Sequence, residues 1–136
     1  MPLKLVIDAV EGRLAANWTK CPVVGINLAG NTPKDASPFV QVSYPVANNE
    51  QLTVGAPGQK VYRETGAFRL LLNWRRGRPI GQGLEWADEL AALFRGKEFG
   101  GIQTFAPGSP VIDDRNEEGN YFALSFAVPY QADILG

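Results

Sequence analysis

Phe68-Arg69-Leu70-Leu71-Leu72-Asn73-Trp74 is the stretch that decides the fold. Phe68, Leu70, Leu72 and Trp74 alternate with other residues, so an extended chain sets all four large apolar side chains on one face. A helix would scatter them around its circumference. The positions between them, Arg69, Leu71 and Asn73, are mixed, which describes a second face that is only partly buried. A strand of this kind needs a sheet around it and an apolar layer over one side.

The neighbouring sequence supplies both. Upstream, Phe39–Tyr44 is a strand with Val40, Val42 and Tyr44 on one face. Asn48–Asn49 reads as a turn, Gln51–Val54 as a second short strand, and Ala56-Pro57-Gly58 as another turn before Val61–Arg63 leads into Phe68. Downstream, the basic turn Arg75-Arg76-Gly77-Arg78-Pro79 precedes a helix from about Gly83 to Arg95. Its expected buried stripe is Leu84, Ala87, Leu90, Ala91 and Phe94, with Glu85, Asp88 and Glu89 facing water. Gly96 is suited to end it. Ile102–Phe105 is a strand, Pro107–Pro110 and Asp113–Asn120 are loops, and Tyr121–Val128 is a closing strand.

At the start, Leu3 to Ala16 has the spacing of an amphipathic helix through Leu3, Val6, Ile7, Val10 and Leu14. Pro22, Gly25, Gly30, Pro33 and Pro38 then punctuate a long loop, with a short strand at Val23–Asn27. The order of elements predicts an α+β fold: a mainly antiparallel β-sheet with two main helices packed on one face. No linker or repeat interrupts residues 1–136, which are read as one domain.

Composition narrows the function. The chain is 45% hydrophobic and 20% charged, ordinary for a globular domain and too apolar for a disordered one. It has no histidine, the side chain that most readily supplies acid–base chemistry and metal ligation near neutral pH. This shifts weight away from an enzyme. Its net charge of −1 offers no overall attraction to nucleic acid or to an acidic membrane. The single cysteine, Cys21, cannot form an internal disulfide, and it fits a reducing compartment. No apolar run is long enough to span a membrane, and Lys4 and Asp8 interrupt the N-terminal run, so no signal peptide is expected.

Three clusters carry candidate chemistry. Gly77, Gly81 and Gly83 bracket a strand-to-helix junction but lack the lysine and the spacing of a phosphate loop, which favours a plain connection. Asp113, Asp114, Glu117 and Glu118 cluster in one oxygen-rich loop, the kind that can hold calcium or supply an acid–base pair, but it lacks the regular alternation of an EF-hand and any histidine, which favours a solvated hairpin loop. Arg75, Arg76 and Arg78 form the densest basic group; a solvated turn and a subunit contact both fit, whereas no second basic stretch extends the patch towards DNA. Trp18, Trp74 and Trp86 read as core or interface. Cys21 reads as a partly buried small apolar residue. No catalytic, cofactor or metal residue is assigned.

The runs Pro38-Phe39-Val40-Gln41-Val42 and Thr65-Gly66-Ala67-Phe68-Arg69-Leu70 lie before the helix from Ala87 to Gly96, and the chain closes with Tyr121 to Tyr130. In pattern and order this resembles the small tail-terminator, or tail-completion, proteins of long-tailed bacteriophages and prophages. The N-terminal helix followed by Pro22-Val23 fits the same pattern. The resemblance implies a structural protein, not an enzyme. It would form a homo-oligomeric, hexameric ring that caps the tail tube, stops polymerisation and prepares head–tail joining. Tail tube protein and head–tail connector proteins would be its partners, and the virion tail its location, after assembly in the host cytoplasm. No shared motif transfers individual residues. Arg75, Arg76 and Arg78 are therefore candidate interface residues on their own chemistry, and Ala29–Ser37 and Val46–Lys60 are candidate ring or tube contacts by position. A head–tail connector or neck protein is the near alternative; a small metal-binding or hydrolytic domain is the distant one.

Overall fold

The computed structural model of the chain describes residues 3–21, 23–24, 38–56, 58–75, 79–113 and 121–135. In order they form α1 (Lys4–Asn17), β1 (Val23–Val24), β2 (Phe39–Gln51), β3 (Val61–Arg75), α2 (Ile80–Phe94), β4 (Glu98–Phe99), β5 (Ile102–Thr104), β6 (Val111–Asp113) and β7 (Tyr121–Leu135). Among the described residues the sheet has seven strands, in the order β1-β2-β3-β7-β5-β4 with β6 also on β7. β1 runs parallel to β2; every other pairing is antiparallel.

The period-two pattern around Leu70 is what aligns the sheet. Val40, Leu72 and Leu124 lie in one cross-strand row, and Val42, Leu70 and Phe126 in the next. All six are buried, as are Phe68 and its partner Val128. Both helices contribute to the same apolar cluster: Val6, Val10 and Leu14 from α1, and Ala87, Leu90, Ala91 and Phe94 from α2. The two helices therefore cover one face, as expected for an α+β fold. Phe68 and Phe94 meet edge-on across the layers, with centroids 5.0 Å apart. Burying each such large side chain stabilises by about 1.5–3 kcal/mol.

Several boundaries depart from the sequence reading. β2 continues through Asn48–Asn49, where a turn was expected, and there is no separate strand at 51–54. A register shift between Ser43 and Val46 takes up extra chain in β2 and lets the ladder resume beyond it. β7 continues through Pro129, where its end was expected, to Leu135. The Pro129 carbonyl accepts a hydrogen bond from the Phe105 N–H at 3.0 Å. In a strand the N–H and C=O of one residue point the same way, so the missing proline donor faces β5 and the ladder to β3 is spared. β4 was not expected; it forms a hairpin with β5 through Gly100 and Gly101, at φ 56° and 86°. Two successive positive φ angles are what a tight hairpin turn requires. Asp113 ends β6 rather than beginning a loop. Of the strand expected at 23–27, Val23–Val24 is β1 and residues 25–27 lie outside the described residues.

α2 starts at Ile80 rather than Gly83; its buried stripe holds Ala87, Leu90, Ala91 and Phe94 as expected and differs only in its first turns. Leu84, expected in the core, is 38% exposed, and Gly83 is buried in its place. A Cβ at Gly83 would lie 3.1 Å from the Trp74 ring and 3.2 Å from Leu124. The helix backbone thus rests directly on the indole, which a larger residue would prevent. We expect Gly83→Val to lower unfolding free energy by about 1–3 kcal/mol, the range for overpacking. Gly81→Ala, where no atom lies within 4 Å of the added carbon, should raise it by roughly 0.5–1 kcal/mol. Equilibrium urea unfolding of the two variants against the parent checks both signs.

Candidate assembly surfaces

The antiparallel register sorts the connections to two ends of the sheet. At one end Phe39 pairs with Asn73, Arg75 with Tyr121, and Asp113 with Ala123. The flanks of the basic turn and of the acidic loop, far apart in sequence, therefore lie on neighbouring strands at the same end. Of the candidate residues only Arg75 and Asp113 have a described backbone; Arg76, Arg78, Asp114, Glu117 and Glu118 lie outside the described residues, as does the candidate contact 29–37. Glu89, one of the acidic helix residues facing water, pairs with Lys20, whose ammonium also sits over the Trp18 and Trp86 rings.

At the other end is the hairpin between β2 and β3, and here the candidate contact 46–60 divides. Residues 46–51 belong to β2, and 52–60 make the connection. The Leu52 N–H donates to the Val61 carbonyl, and the Val61 N–H donates to Thr53 Oγ1, both at 2.8 Å. Beyond that closure Val54 is 95% exposed, and Leu135, paired with Val61 on the neighbouring strand, is 71% exposed. Apolar side chains held out by an ordered hairpin are a common contact surface.

Between the two ends lies a buried polar group that sequence reasoning missed. Glu64, fully buried, shares the phase of Phe68 and Leu70 in β3 and so faces the helices. Its carboxylate accepts from the Leu3 N–H at 3.2 and 3.3 Å, from Asn49 Nδ2 at 3.3 Å and from the Tyr130 hydroxyl at 3.0 Å. Leu3 caps the start of α1, whose partial positive charge favours an anion there. Burial and the Glu64 carboxylate raise the Tyr130 phenol pKa. The available signal was the parity: a glutamate on the apolar phase of a strand must find partners or unfold it.

The other candidates are structural. Trp74 is fully buried and Trp18 nearly so, and both meet Trp86 edge-on, at 5.2 and 5.8 Å. Cys21 Sγ accepts from Trp18 Nε1 at 3.2 Å, and burial pushes the thiol pKa up. The Arg13 guanidinium donates to the Leu93 carbonyl at 2.6 Å, joining α1 to the last turn of α2. Among the described residues no group of three or more histidine, cysteine or acidic side chains is placed to hold a metal, and no helix is long and apolar enough to cross a membrane. Replacing Asp113, Asp114, Glu117 and Glu118 by Asn or Gln should leave the melting temperature in chelator nearly unchanged, the outcome that the sequence reading of a solvated loop without a metal entails. A large calcium-dependent rise in the parent, lost in the variant, would contradict this.

Comparison with known proteins adds the identity of the fold. No curated protein matches the chain. One solved structure, of a protein without a descriptive name, is similar over 100% of this chain and 99% of its own, with a TM-score of 0.63 and 21% identity. At that identity the likeness concerns the fold. The family model described as phage tail terminator protein matches residues 5–130, from the second residue of α1 into β7. The chain belongs to the phage tail terminator family.

Proposed function

We propose that this structural component of a phage tail ends growth of the tail tube as a closed ring of about six copies and prepares the tail for joining to the head. The observation that carries this reading is family membership over nearly the whole chain. The two unlike ends of the sheet support it. The apolar hairpin tip at Leu52, Val54 and Leu135 suits a contact with tail tube protein. The opposite end, flanked by Arg75 and Asp113, suits contacts between copies or with head–tail connector proteins.

The mechanism is steric and needs no catalysis. Head-to-tail contacts close a ring, so no subunit edge is left to extend it around the circle. One face of the ring matches the last ring of the tube, and the other lacks the surface on which a further tube ring would form. A net charge of −1 places little electrostatic cost on bringing copies together. Assembly in the host cytoplasm and residence in the virion tail, from a phage or a prophage, follow from this role.

Mass measurement across concentration, with and without tail tubes, is the direct test. A ring should form alone or be driven to form on tubes; a strict monomer that never joins tubes would refute the proposal. Arg75→Ala, Arg76→Ala and Arg78→Ala together should leave stability within roughly 1 kcal/mol and weaken ring formation or tail completion, most clearly at high salt. Wild-type assembly by that triple variant would reduce the arginines to a solvated turn.

A further inference from the structure

We propose that Glu64 is the lock of a hinge in the sheet, fixing the angle between the helix-covered body and the far ends of β2, β3 and β7. The inference concerns this chain alone and holds whether or not copies form a ring.

Three features mark the hinge. The β2 ladder is interrupted by the register shift between Ser43 and Val46. Gly66 of β3 lies opposite Ala47, immediately beyond that shift. A Cβ there would fall 2.1 Å from the Val46 carbonyl oxygen and 3.0 Å from the Tyr130 hydroxyl, so the position admits no side chain. A bulge bends its strand, and a glycine opposite has nothing to pack against that bend. Finally, α1 begins at the level of Glu64, as its Leu3 contact shows. Past it the rows Gln51–Tyr62–Ile134 and Val61–Leu135 continue as ribbon.

The lock is the carboxylate two residues beyond the glycine. Through Leu3, Asn49 and Tyr130, Glu64 joins α1, β2 and β7 to its own strand β3 at one point. The missing side chain at Gly66 is what lets the Tyr130 hydroxyl reach across to it. A buried carboxylate is tolerated only when its hydrogen bonds are made, and removing its partners is strongly destabilising. Swinging the ribbon about Gly66 would separate Glu64 from Leu3 and Tyr130, while Asn49, its partner across the ladder, moves with it. An apolar side chain at the same place would keep the burial and accept a range of angles; an anion holding donors from three other elements accepts one.

The test is a pair of spin labels on Val54→Cys, at the exposed tip, and Asp88→Cys, on the water-facing side of α2, in a Cys21→Ser background. The distance distribution should be narrow with Glu64 present and clearly broader with Glu64→Ala. Glu64→Gln should not restore it, because the amide turns an NH2 towards donors. Amide exchange should quicken at least roughly tenfold in 44–51, 61–66 and 131–135 and stay unchanged in 68–74 and 87–94. If Glu64→Ala does not fold, Tyr130→Phe, which keeps the ring over Gly66 and removes one donor, should give a smaller broadening confined to the same segments. A distribution that stays narrow in the folded variants, or faster exchange spread evenly through the body, would overturn the proposal.

Discussion

β3 carries the fold because both its edges are hydrogen-bonded and one of its faces is dry. It pairs with β7 from Val61 to Arg75 and with β2 from Tyr62 to Asn73. A shift of one residue in either pairing would turn Phe68, Leu70, Leu72 and Trp74 away from the helices and expose the core. The same alternation places Glu64 on the dry face. Burial of the aromatic residues therefore enforces burial of the carboxylate, and the carboxylate in turn dictates where α1 starts and where Tyr130 and Asn49 sit. Hydrophobic register and polar satisfaction select one arrangement between them.

Close approach of backbone to neighbour completes the packing, at positions where a side chain would intrude. Gly83 lets α2 lie on the Trp74 ring. Gly100, in the β4–β5 turn, sits where a Cβ would be 2.7 Å from Ala9 of α1. At these two contacts a helix is brought to the strands and their connections by the absence of an atom. A sequence scan for apolar periodicity overlooks such contacts, because glycine scores as a breaker in a helix and as punctuation elsewhere.

That blind spot accounts for much of what the sequence concealed. Fold class, the single helical layer and the strands around Val40, Leu70 and Phe126 were legible, since each rests on alternation or on a stripe at helical spacing. The stripe of α2 was legible at Ala87, Leu90, Ala91 and Phe94 and missed only at its start, where Leu84 was read as core and Gly83 as a boundary. The extent of the long strands was underestimated for a related reason. Asn48–Asn49 and Pro129 are turn and breaker residues by local preference, and tertiary pairing overrides both: Asn49 is held by Glu64, and Pro129 turns its missing donor away from β3. At the candidate surfaces, residue chemistry pointed to the basic and acidic clusters but could not reveal that their flanks share an end of the sheet, which only the strand order decides.

A protein proposed to stop a polymer has to be rigid where it meets the polymer and unlike itself at its two ends. Rigidity is the harder demand here, because the apolar tip stands beyond the helices on a ribbon of three strands. Isolated ribbons of this size hold their shape poorly unless something packs on them. Extending a helix to the tip would cover the very side chains that a tube contact needs. A buried carboxylate gathering donors from α1, β2 and β7 stiffens the base of the ribbon and leaves its tip bare. That solution costs desolvation at one residue, it leaves Leu52 and Val54 open, and it places the group that stiffens the tip well away from the tip itself.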